Sequence, residues 1–135
     1  MTRLTGSLDA NVLLRLLLND VPAQHRAALG LLQRATGQLA VADIAVVEVV
    51  FVLQRAYGLT RNQVGEAVSG LLQLKELNCN RALFEHALPA YLKHSALSFE
   101  DCCLASYAEL DNATPLWTFD KKLAHQTSAA QLANG

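Results

Sequence analysis

Short apolar segments alternate with longer helix-like segments along this chain. A helix that joins two strands normally makes a right-handed crossover, which leaves the strands parallel and covers the sheet. The alternation therefore predicts an α/β fold in which helices flank a central, mostly parallel sheet of four to five short strands. We place the clear strands at Leu4 to Asp9, Gln38 to Ala42, Leu77 to Cys79 and Leu116 to Phe119.

The segments between the strands carry signals for helices. The third of them is rich in β-branched residues, which favour strands, but it runs for 14 residues without a turn signal and Gly58 follows it. Its length decides for a helix, which we expect to be apolar nearly all round and buried on more than one side. We place helices at Asn11 to Leu18, Ala23 to Ala35, Ile44 to Tyr57, Thr60 to Leu74, Arg81 to His94 and Phe99 to Leu110, with Asp43, Thr60 and Ser98 as N-caps.

Length and hydropathy suggest one domain that associates with a partner. The chain has 135 residues, 52% of them hydrophobic, and a mean hydropathy of +0.20. We expect a single domain over residues 1–135, and a homodimer, because so small a domain cannot cover this much apolar surface. Charged residues such as Arg15 and Glu48 interrupt every apolar stretch, and the N-terminus has no signal-peptide pattern. We therefore expect a cytoplasmic protein that does not enter a membrane.

The cysteine content and the net charge exclude few further classes of protein. Cys79, Cys102 and Cys103 include no C-x-x-C pair, so neither a disulfide framework nor a zinc knuckle is indicated. We interpret them as small buried side chains. The net charge of −1 permits a local basic patch, so a nucleic-acid role has to be argued from the site itself.

Four acids lie in apolar surroundings, namely Asp9, Glu48, Asp101 and Asp120. Burying an unpaired carboxylate is costly, so each should be protonated, paired or bound to a metal ion. Asp9 ends the first predicted strand and Asp120 follows the last clear one, which places both at the carboxyl edge of a parallel sheet. Glu48 and Asp101 lie early in their helices and could point to the same edge. Carboxylate oxygens suit Mg²⁺ or Mn²⁺.

Each acid also has a purely structural interpretation. Asp9 or Asp101 could cap a helix, and Glu48 could pair with Arg55 or Arg15. The last acid could simply open a turn before two lysines. The four histidines lack metal-ligand spacing with any cysteine, and we expect them at the surface.

Taken in chain order, the segments around the four acids resemble the PIN-domain nucleases, and among them the VapC-like toxins of bacterial toxin–antitoxin systems. The D-x-N opening of that family corresponds to Asp9 and Asn11, and its helix glutamate corresponds to Glu48. The matching segments are Ser7-Leu8-Asp9-Ala10-Asn11-Val12-Leu13-Leu14, Glu48 in its apolar helix, Leu97-Ser98-Phe99-Glu100-Asp101-Cys102-Cys103-Leu104-Ala105 and Thr118-Phe119-Asp120-Lys121-Lys122-Leu123. The resemblance covers about the whole chain.

The resemblance implies a three-layer PIN-like domain that hydrolyses RNA phosphodiester bonds with Mg²⁺ or Mn²⁺. It also implies a cognate antitoxin as partner. In this interpretation Glu48 completes the metal shell, through water if not directly, or positions the attacking water. The roles implied by the resemblance are catalysis and metal binding for Asp9, Glu48, Asp101 and Asp120, and support of these acids for Asn11 and Thr118.

Other functions stay open at this point. The chain could be a non-catalytic PIN-like interaction module that assembles through its apolar helices. A phosphoryl-transfer or receiver-type domain is disfavoured, because no second aspartate lies two residues after Asp9 and no glycine-rich phosphate loop is present. Arg15, Lys121 and Lys122 are candidates for contact with RNA phosphates. The sequence does not identify the RNA, the number of metal ions or the antitoxin, nor whether a last strand forms after Leu123.

Overall fold

A computed structural model describes residues 3–134, over which the chain forms seven α-helices and five β-strands. Every predicted strand and helix is present, with its ends shifted by at most two residues. The strands are β1 (Leu4–Ser7), β2 (Gln38–Ala40), β3 (Leu77–Asn78), β4 (Leu116–Thr118) and β5 (Ala130–Leu132). The helices are α1 (Ala10–Leu17), α2 (Pro22–Arg34), α3 (Asp43–Arg55), α4 (Arg61–Leu72), α5 (Arg81–Lys93), α6 (Phe99–Leu110) and α7 (Lys121–Gln126).

Packing divides the chain into two compact units, one that ends at Asn80 and one that starts at Arg81. We call them the N-terminal unit, with β1 to β3 and α1 to α4, and the C-terminal unit, with α5 to α7, β4 and β5. The predicted α/β class, with parallel strands flanked by helices, is confirmed. The strands form a three-stranded and a two-stranded sheet, whereas the sequence suggested one. The expectation of one domain over residues 1–135 stays a prediction.

The sheet of the N-terminal unit has the order β1, β2, β3, and its strands run parallel. Backbone N–H groups in and beside β2 donate hydrogen bonds of 2.8 Å to the carbonyl oxygens of Glu76 and Asn78. The pairing of β1 with β2 shifts register between Leu4 and Ser7, where Gly6 has a φ of +136°. A side chain would be strained at that φ, so glycine is what allows the irregularity.

Helix α3 forms although β-branched residues dominate its sequence, as its length predicted. Ile44 and Phe51 are 79% and 55% exposed and the buried residues lie along one face of the helix, so the expected burial on more than one side was wrong. The predicted capping role of Asp43 was also wrong, because the cap is Ala42, which makes no side-chain cap bond. The Asp43 carboxylate instead accepts a hydrogen bond of 3.3 Å from Asn80 Nδ2. The buried residues of α3 are Ala45, Val46, Val49, Val50 and Leu53.

Helix α4 begins with a reciprocal cap, which confirms the prediction for Thr60. The Thr60 hydroxyl accepts a hydrogen bond of 3.2 Å from the Gln63 backbone N–H. The Gln63 side chain in turn accepts one of 2.9 Å from the Thr60 backbone N–H. Two N–H groups that the helix itself leaves unsatisfied are paired in this way, which fixes where α4 begins.

The C-terminal unit is organised around the contact between α5 and α6. Phe99, in the first turn of α6, stacks on Phe84 with ring centroids 6.0 Å apart. It meets Tyr91 edge to face at 5.4 Å. Each of these three rings is buried, so the aromatic contacts form the core of this unit.

Strands β4 and β5 pair in parallel, with Leu116 opposite Ala130 and Thr118 opposite Leu132. The N–H of Leu116 donates to the carbonyl of Ala129 at 2.7 Å, and the Thr118 carbonyl accepts from the backbone beyond β5 at 2.8 Å. A strand therefore does form after Leu123, the point that the sequence left open.

Two expectations from the composition concern membrane-spanning helices and the state of the cysteines. Among the helices of residues 3–134, none combines the length and the apolar character needed to cross a bilayer. Cys102 and Cys103 are buried as expected, whereas Cys79 is half-buried. All three, which lie in this part of the chain, are thiols and not disulfides.

Candidate functional site

Asp9 begins α1, two residues after the end of β1. It is the N-cap of the helix, and its Oδ1 accepts a hydrogen bond of 3.0 Å from the Val12 backbone N–H. The residue is exposed, and within residues 3–134 its Oδ2 accepts no hydrogen bond. The capping interpretation is therefore correct for Asp9, and it leaves one carboxylate oxygen available to a ligand.

Glu48 lies in the second turn of α3 and is exposed. Its proposed pairing with Arg15 or Arg55 does not occur: the Arg15 guanidinium contacts Asp20, and that of Arg55 lies 5.8 Å from the centre of the Phe51 ring. Over residues 3–134 the Glu48 carboxylate forms neither a hydrogen bond nor an ion pair.

Asp101 is the third residue of α6 and is half-buried. The helix is capped by Ser98, whose hydroxyl accepts a hydrogen bond of 3.0 Å from the Asp101 backbone N–H. Capping by Asp101 was thus the wrong alternative, and capping by Ser98 was the right prediction. Within the described part of the chain, the Asp101 carboxylate itself accepts no hydrogen bond.

Asp120 is the N-cap of α7, and its Oδ1 accepts hydrogen bonds from the backbone N–H groups of Lys122 at 2.9 Å and Leu123 at 3.4 Å. The Asp120 N–H donates to the Thr118 hydroxyl at 2.9 Å. Thr118 therefore restrains the backbone of the acid, and its supporting role in a functional site stays a prediction. Asp120 is exposed, and its second carboxylate oxygen accepts no hydrogen bond from residues 3–134.

The burial expected for the four acids was wrong. Asp9, Glu48 and Asp120 are exposed, and Asp101 is half-buried. The first three acids in chain order have buried neighbours such as Leu8, Val49 and Cys102, whereas Phe119 before Asp120 is exposed, and burial alone does not force a partner on any of the four. What the four acids share is at least one oxygen that no hydrogen bond within residues 3–134 occupies.

A cavity of about 330 Å³ opens beside Asp9 in the N-terminal unit. Asn11 lines it but forms no hydrogen bond to Asp9 within the described chain, so the expected supporting contact is absent from this conformation. The wall is mostly apolar and belongs to α1 and α2. The lining residues are Asp9, Asn11, Val12, Arg15, Gln24, Ala27, Ala28 and Leu31.

Arg15, at the other end of this wall, is held by a local network. Its guanidinium forms an ion pair with Asp20 and donates to the Tyr57 hydroxyl at 3.2 Å, and only 14% of the side chain is exposed. The Tyr57 hydroxyl donates to Asp20 at 2.6 Å. That hydrogen bond holds the pKa of Asp20 below its ordinary value, and the bond to Tyr57 raises the pKa of Arg15. Two hydrogen bonds thus hold the Arg15 guanidinium to groups of its own unit.

Lys121 and Lys122, in contrast, are exposed and form no ion pair with residues 3–134. They line a cavity of about 580 Å³ in the C-terminal unit, together with Ala124, His125, Gln126 and Leu132. They directly follow two strongly exposed aromatic side chains, Trp117 and Phe119, whose exposure the sequence reasoning missed. The run Trp-Thr-Phe-Asp-Lys-Lys carried the signal, because aromatic residues two apart lie on the same side of an extended chain.

The histidines are not assembled into a metal site. His86 and His125 are exposed and His25 and His94 half-buried, so the surface expectation holds for only part of them. Neither unit, over the residues from 3 to 134, brings three or more His, Cys, Asp or Glu side chains into a group that would hold a metal ion. Each unit by itself contributes two of the predicted acids.

The donor chemistry of the four acids nevertheless suits a hard divalent cation. Asp9 and Asp120 each use one carboxylate oxygen for capping, and the other accepts no hydrogen bond from the described residues. The carboxylates of Glu48 and Asp101 have no protein partner in those residues. Mg²⁺ and Mn²⁺ bind such oxygens, with water completing the coordination. The capping bonds also fix the carboxylates of Asp9 and Asp120 in orientation without using up their second oxygens.

The chain matches a known protein family over most of its length. The model of the PIN domain family matches residues 7–128 of this chain. The matched region begins at Ser7 and includes all four acids and parts of both units. No curated protein matches the chain significantly.

Proposed function

The chain belongs to the PIN domain family, and from that premise we propose that it is a metal-dependent endoribonuclease, the toxin of a VapC-like toxin–antitoxin pair. PIN domains are generally metal-dependent nucleases. The observation that supports the proposal is that four acids in the order typical of the family each keep a carboxylate oxygen without a protein partner in residues 3–134. These acids are Asp9, Glu48, Asp101 and Asp120.

The proposed ligands of Mg²⁺ or Mn²⁺ are Asp9, Asp101 and Asp120, with Glu48 in the shell or on the attacking water. A bound divalent cation would lower the pKa of a water molecule and offset the negative charge that develops on the phosphate. The chain itself would contribute orientation. The Asp9 and Asp120 carboxylates are held by backbone N–H groups, and Thr118 restrains the backbone at Asp120.

Phosphate contact is proposed chiefly for Lys121 and Lys122. Both ammonium groups are exposed and have no carboxylate partner within residues 3–134. Arg15 remains a candidate, but it would have to exchange its contacts with Asp20 and Tyr57 for a phosphate. Such an exchange costs a charge-assisted hydrogen bond for each one gained.

The proposal includes partners and a compartment. A cognate antitoxin would cover the acids, and an arginine or lysine from it could pair with a carboxylate in place of the cation. A homodimer would cover exposed apolar helix positions such as Ile44 and Phe51. We place the protein in the cytoplasm. If the acids prove inert, the same exposed helix positions favour the alternative, a non-catalytic interaction module.

The experiment measures cleavage of single-stranded RNA by the full chain in Mg²⁺ or Mn²⁺, in EDTA, and with the cation restored. We expect cleavage only with the divalent ion, together with a higher melting temperature when it binds. Asp101→Asn should abolish cleavage, whereas Asp111→Asn, at the exposed C-terminal end of the same helix, should not. Cleavage that persists in EDTA, or equal activity of the two variants, would remove the mechanism.

A further inference from the structure

Trp117 and Phe119 form an exposed aromatic pair in the C-terminal unit. Their side chains are 59% and 79% exposed, whereas Leu116 and Thr118 beside them are half-buried. The alternation from Leu116 to Thr118 follows from the extended backbone of β4, and Phe119 comes directly after the end of that strand. The two exposed rings thus lie two residues apart in the chain, within three residues of Asp120.

The core of the unit does not need these two rings. Phe84, Tyr91 and Phe99 fill it and are almost completely buried. Two large aromatic side chains left outside a complete core expose apolar area to water at a cost in free energy. Neighbouring exposed apolar groups of this kind mark a surface that binds something.

The charge beside the rings indicates what that partner is. Lys121 and Lys122 follow the aromatic pair within three residues, and over residues 3–134 neither forms an ion pair. The Lys122 backbone is fixed by its 2.9 Å hydrogen bond to Asp120. Protein–protein interfaces are depleted in lysine, whereas aromatic rings next to cations are the combination that binds single-stranded nucleic acid.

We propose that Trp117, Phe119, Lys121 and Lys122 form a stacking platform for single-stranded RNA, next to the acid at position 120. The backbones of residues two apart are at most about 7 Å from each other, roughly twice the 3.4 Å rise of a nucleic-acid strand. Each ring can therefore take a different base, while the two ammonium groups neutralise backbone phosphates. Stacking accepts any base, so the platform selects unpaired RNA and not a particular sequence.

This inference rests on the proposed function for its choice of RNA as ligand, but it predicts binding and not cleavage. Trp117 is the sole tryptophan of the chain, so its fluorescence reports on the platform alone. The full chain is titrated in EDTA with a single-stranded oligoribonucleotide and with an RNA duplex of the same length. The expected result is quenching of the Trp117 fluorescence by the single strand and little change with the duplex.

Variants then test the rings one at a time, with affinity measured by anisotropy of labelled RNA. Phe119→Ala should weaken binding of the single strand about tenfold or more. Trp117→Phe keeps an aromatic face and should retain most of the affinity, whereas Trp117→Ala should not. Tyr107→Ala is the matched control, because Tyr107 is a similarly exposed ring of the same unit that belongs neither to the aromatic pair nor to the proposed metal site. It should bind RNA like the unchanged chain.

Three results would overturn the platform: RNA that binds without changing the Trp117 fluorescence, equal losses for Phe119→Ala and Tyr107→Ala, or no RNA binding at all. Light scattering tests the other possible partner of this surface, which is a second copy of the chain. If Trp117→Ala or Phe119→Ala turned a dimer into a monomer without affecting RNA affinity, the rings would belong to a subunit interface and the proposal would be wrong. Binding that survives while no cleavage occurs would instead reject only the proposed nuclease function.

Discussion

The N-terminal and C-terminal units each begin a helix with a capping aspartate, yet the surroundings of the two acids differ. Asp9 and Asp120 both use Oδ1 to accept backbone hydrogen bonds. Near Asp9, the guanidinium of Arg15 is satisfied by groups of its own unit, and little of it is exposed. On either side of Asp120, in contrast, two aromatic rings and two lysines are exposed, and the lysines form no ion pair within residues 3–134.

The comparison separates two roles that the sequence presents together. A capping acid stabilises its helix in either unit, so capping alone says nothing about chemistry. The difference lies in the neighbouring cations, which are internally paired in one unit and available to a ligand in the other. We therefore expect the N-terminal unit to contribute carboxylates, and the C-terminal unit to contribute carboxylates together with the contacts to RNA.

The largest expected effect concerns the cores of the two units. Phe99→Ala removes a ring packed against Phe84 and Tyr91 and should cost about 3–5 kcal/mol of unfolding free energy, and Leu53→Ala in α3 about 2–5 kcal/mol. If residues 1–135 are one domain, both variants should lower the same transition in calorimetry. Two transitions, each moved by one variant only, would show that the units unfold independently and would reject the single-domain prediction.

The next effect separates chemistry from capping in both units. Asn caps a helix about as well as Asp, so Asp9→Asn and Asp120→Asn should unfold like the unchanged chain but cleave RNA at least about a hundredfold more slowly. Asp9→Ala and Asp120→Ala should lose cleavage and also about 1 kcal/mol of stability. Rates measured under single-turnover conditions and melting curves decide the matter. If an Asn variant retained full activity, that acid would be a cap and nothing more.

A smaller effect compares the cations. Replacing both Lys121 and Lys122 by Gln should reduce the slope of log K against log salt for single-stranded RNA by about 1.4, if each neutralises one phosphate. Arg15→Gln should leave the slope unchanged, because its guanidinium is engaged within the protein. Lys93→Gln, an exposed lysine of the same unit, serves as the control. If Arg15→Gln changed the slope and the double lysine variant did not, the phosphate contact would belong to the N-terminal unit and not to the C-terminal unit.

The smallest effect is the pH dependence of the Arg15, Asp20 and Tyr57 network. The folded pKa of Asp20 is lowered, chiefly by the Tyr57 hydroxyl, so its ionised form stabilises the fold above the unfolded pKa of about 3.9. That contribution is lost as the pH falls through the lower folded pKa. Denaturation of the unchanged chain and of Tyr57→Phe should therefore differ at pH 7 and converge in strong acid. A difference that grows toward low pH would contradict this assignment.

The sequence predicted the elements well because their signals are local. Thr60 and Ser98 each start a helix with a side-chain cap, and the long β-branched segment of α3 had no turn signal to break it. The last strand was left open because Ala130, Gln131 and Leu132 carry little strand preference, and it forms through pairing with β4. The division into two sheets depends on packing between distant segments, which local patterns do not encode.

The acids were identified as candidates for a reason that proved only partly correct. Ile44, Glu48, Phe51 and Arg55 are spaced by three or four residues and form the exposed face of α3. Two of the four are large apolar residues, so the face did not look polar in the sequence and Glu48 was expected to be buried. The order of the acids along the chain, and not their burial, led to the family that the match confirms.

The aromatic contact between α5 and α6 has a consequence for how the chain acquires its structure over time. Phe84, Tyr91 and Phe99 belong to two consecutive helices, so bringing them together closes only a short loop. Pairing β1 with β2 must instead join Leu4 to Gln38 across two intervening helices. Contacts between near neighbours form faster. We therefore expect α5 and α6 to gain protection in pulsed hydrogen exchange before the sheet of β1 to β3, although they follow that sheet in the chain.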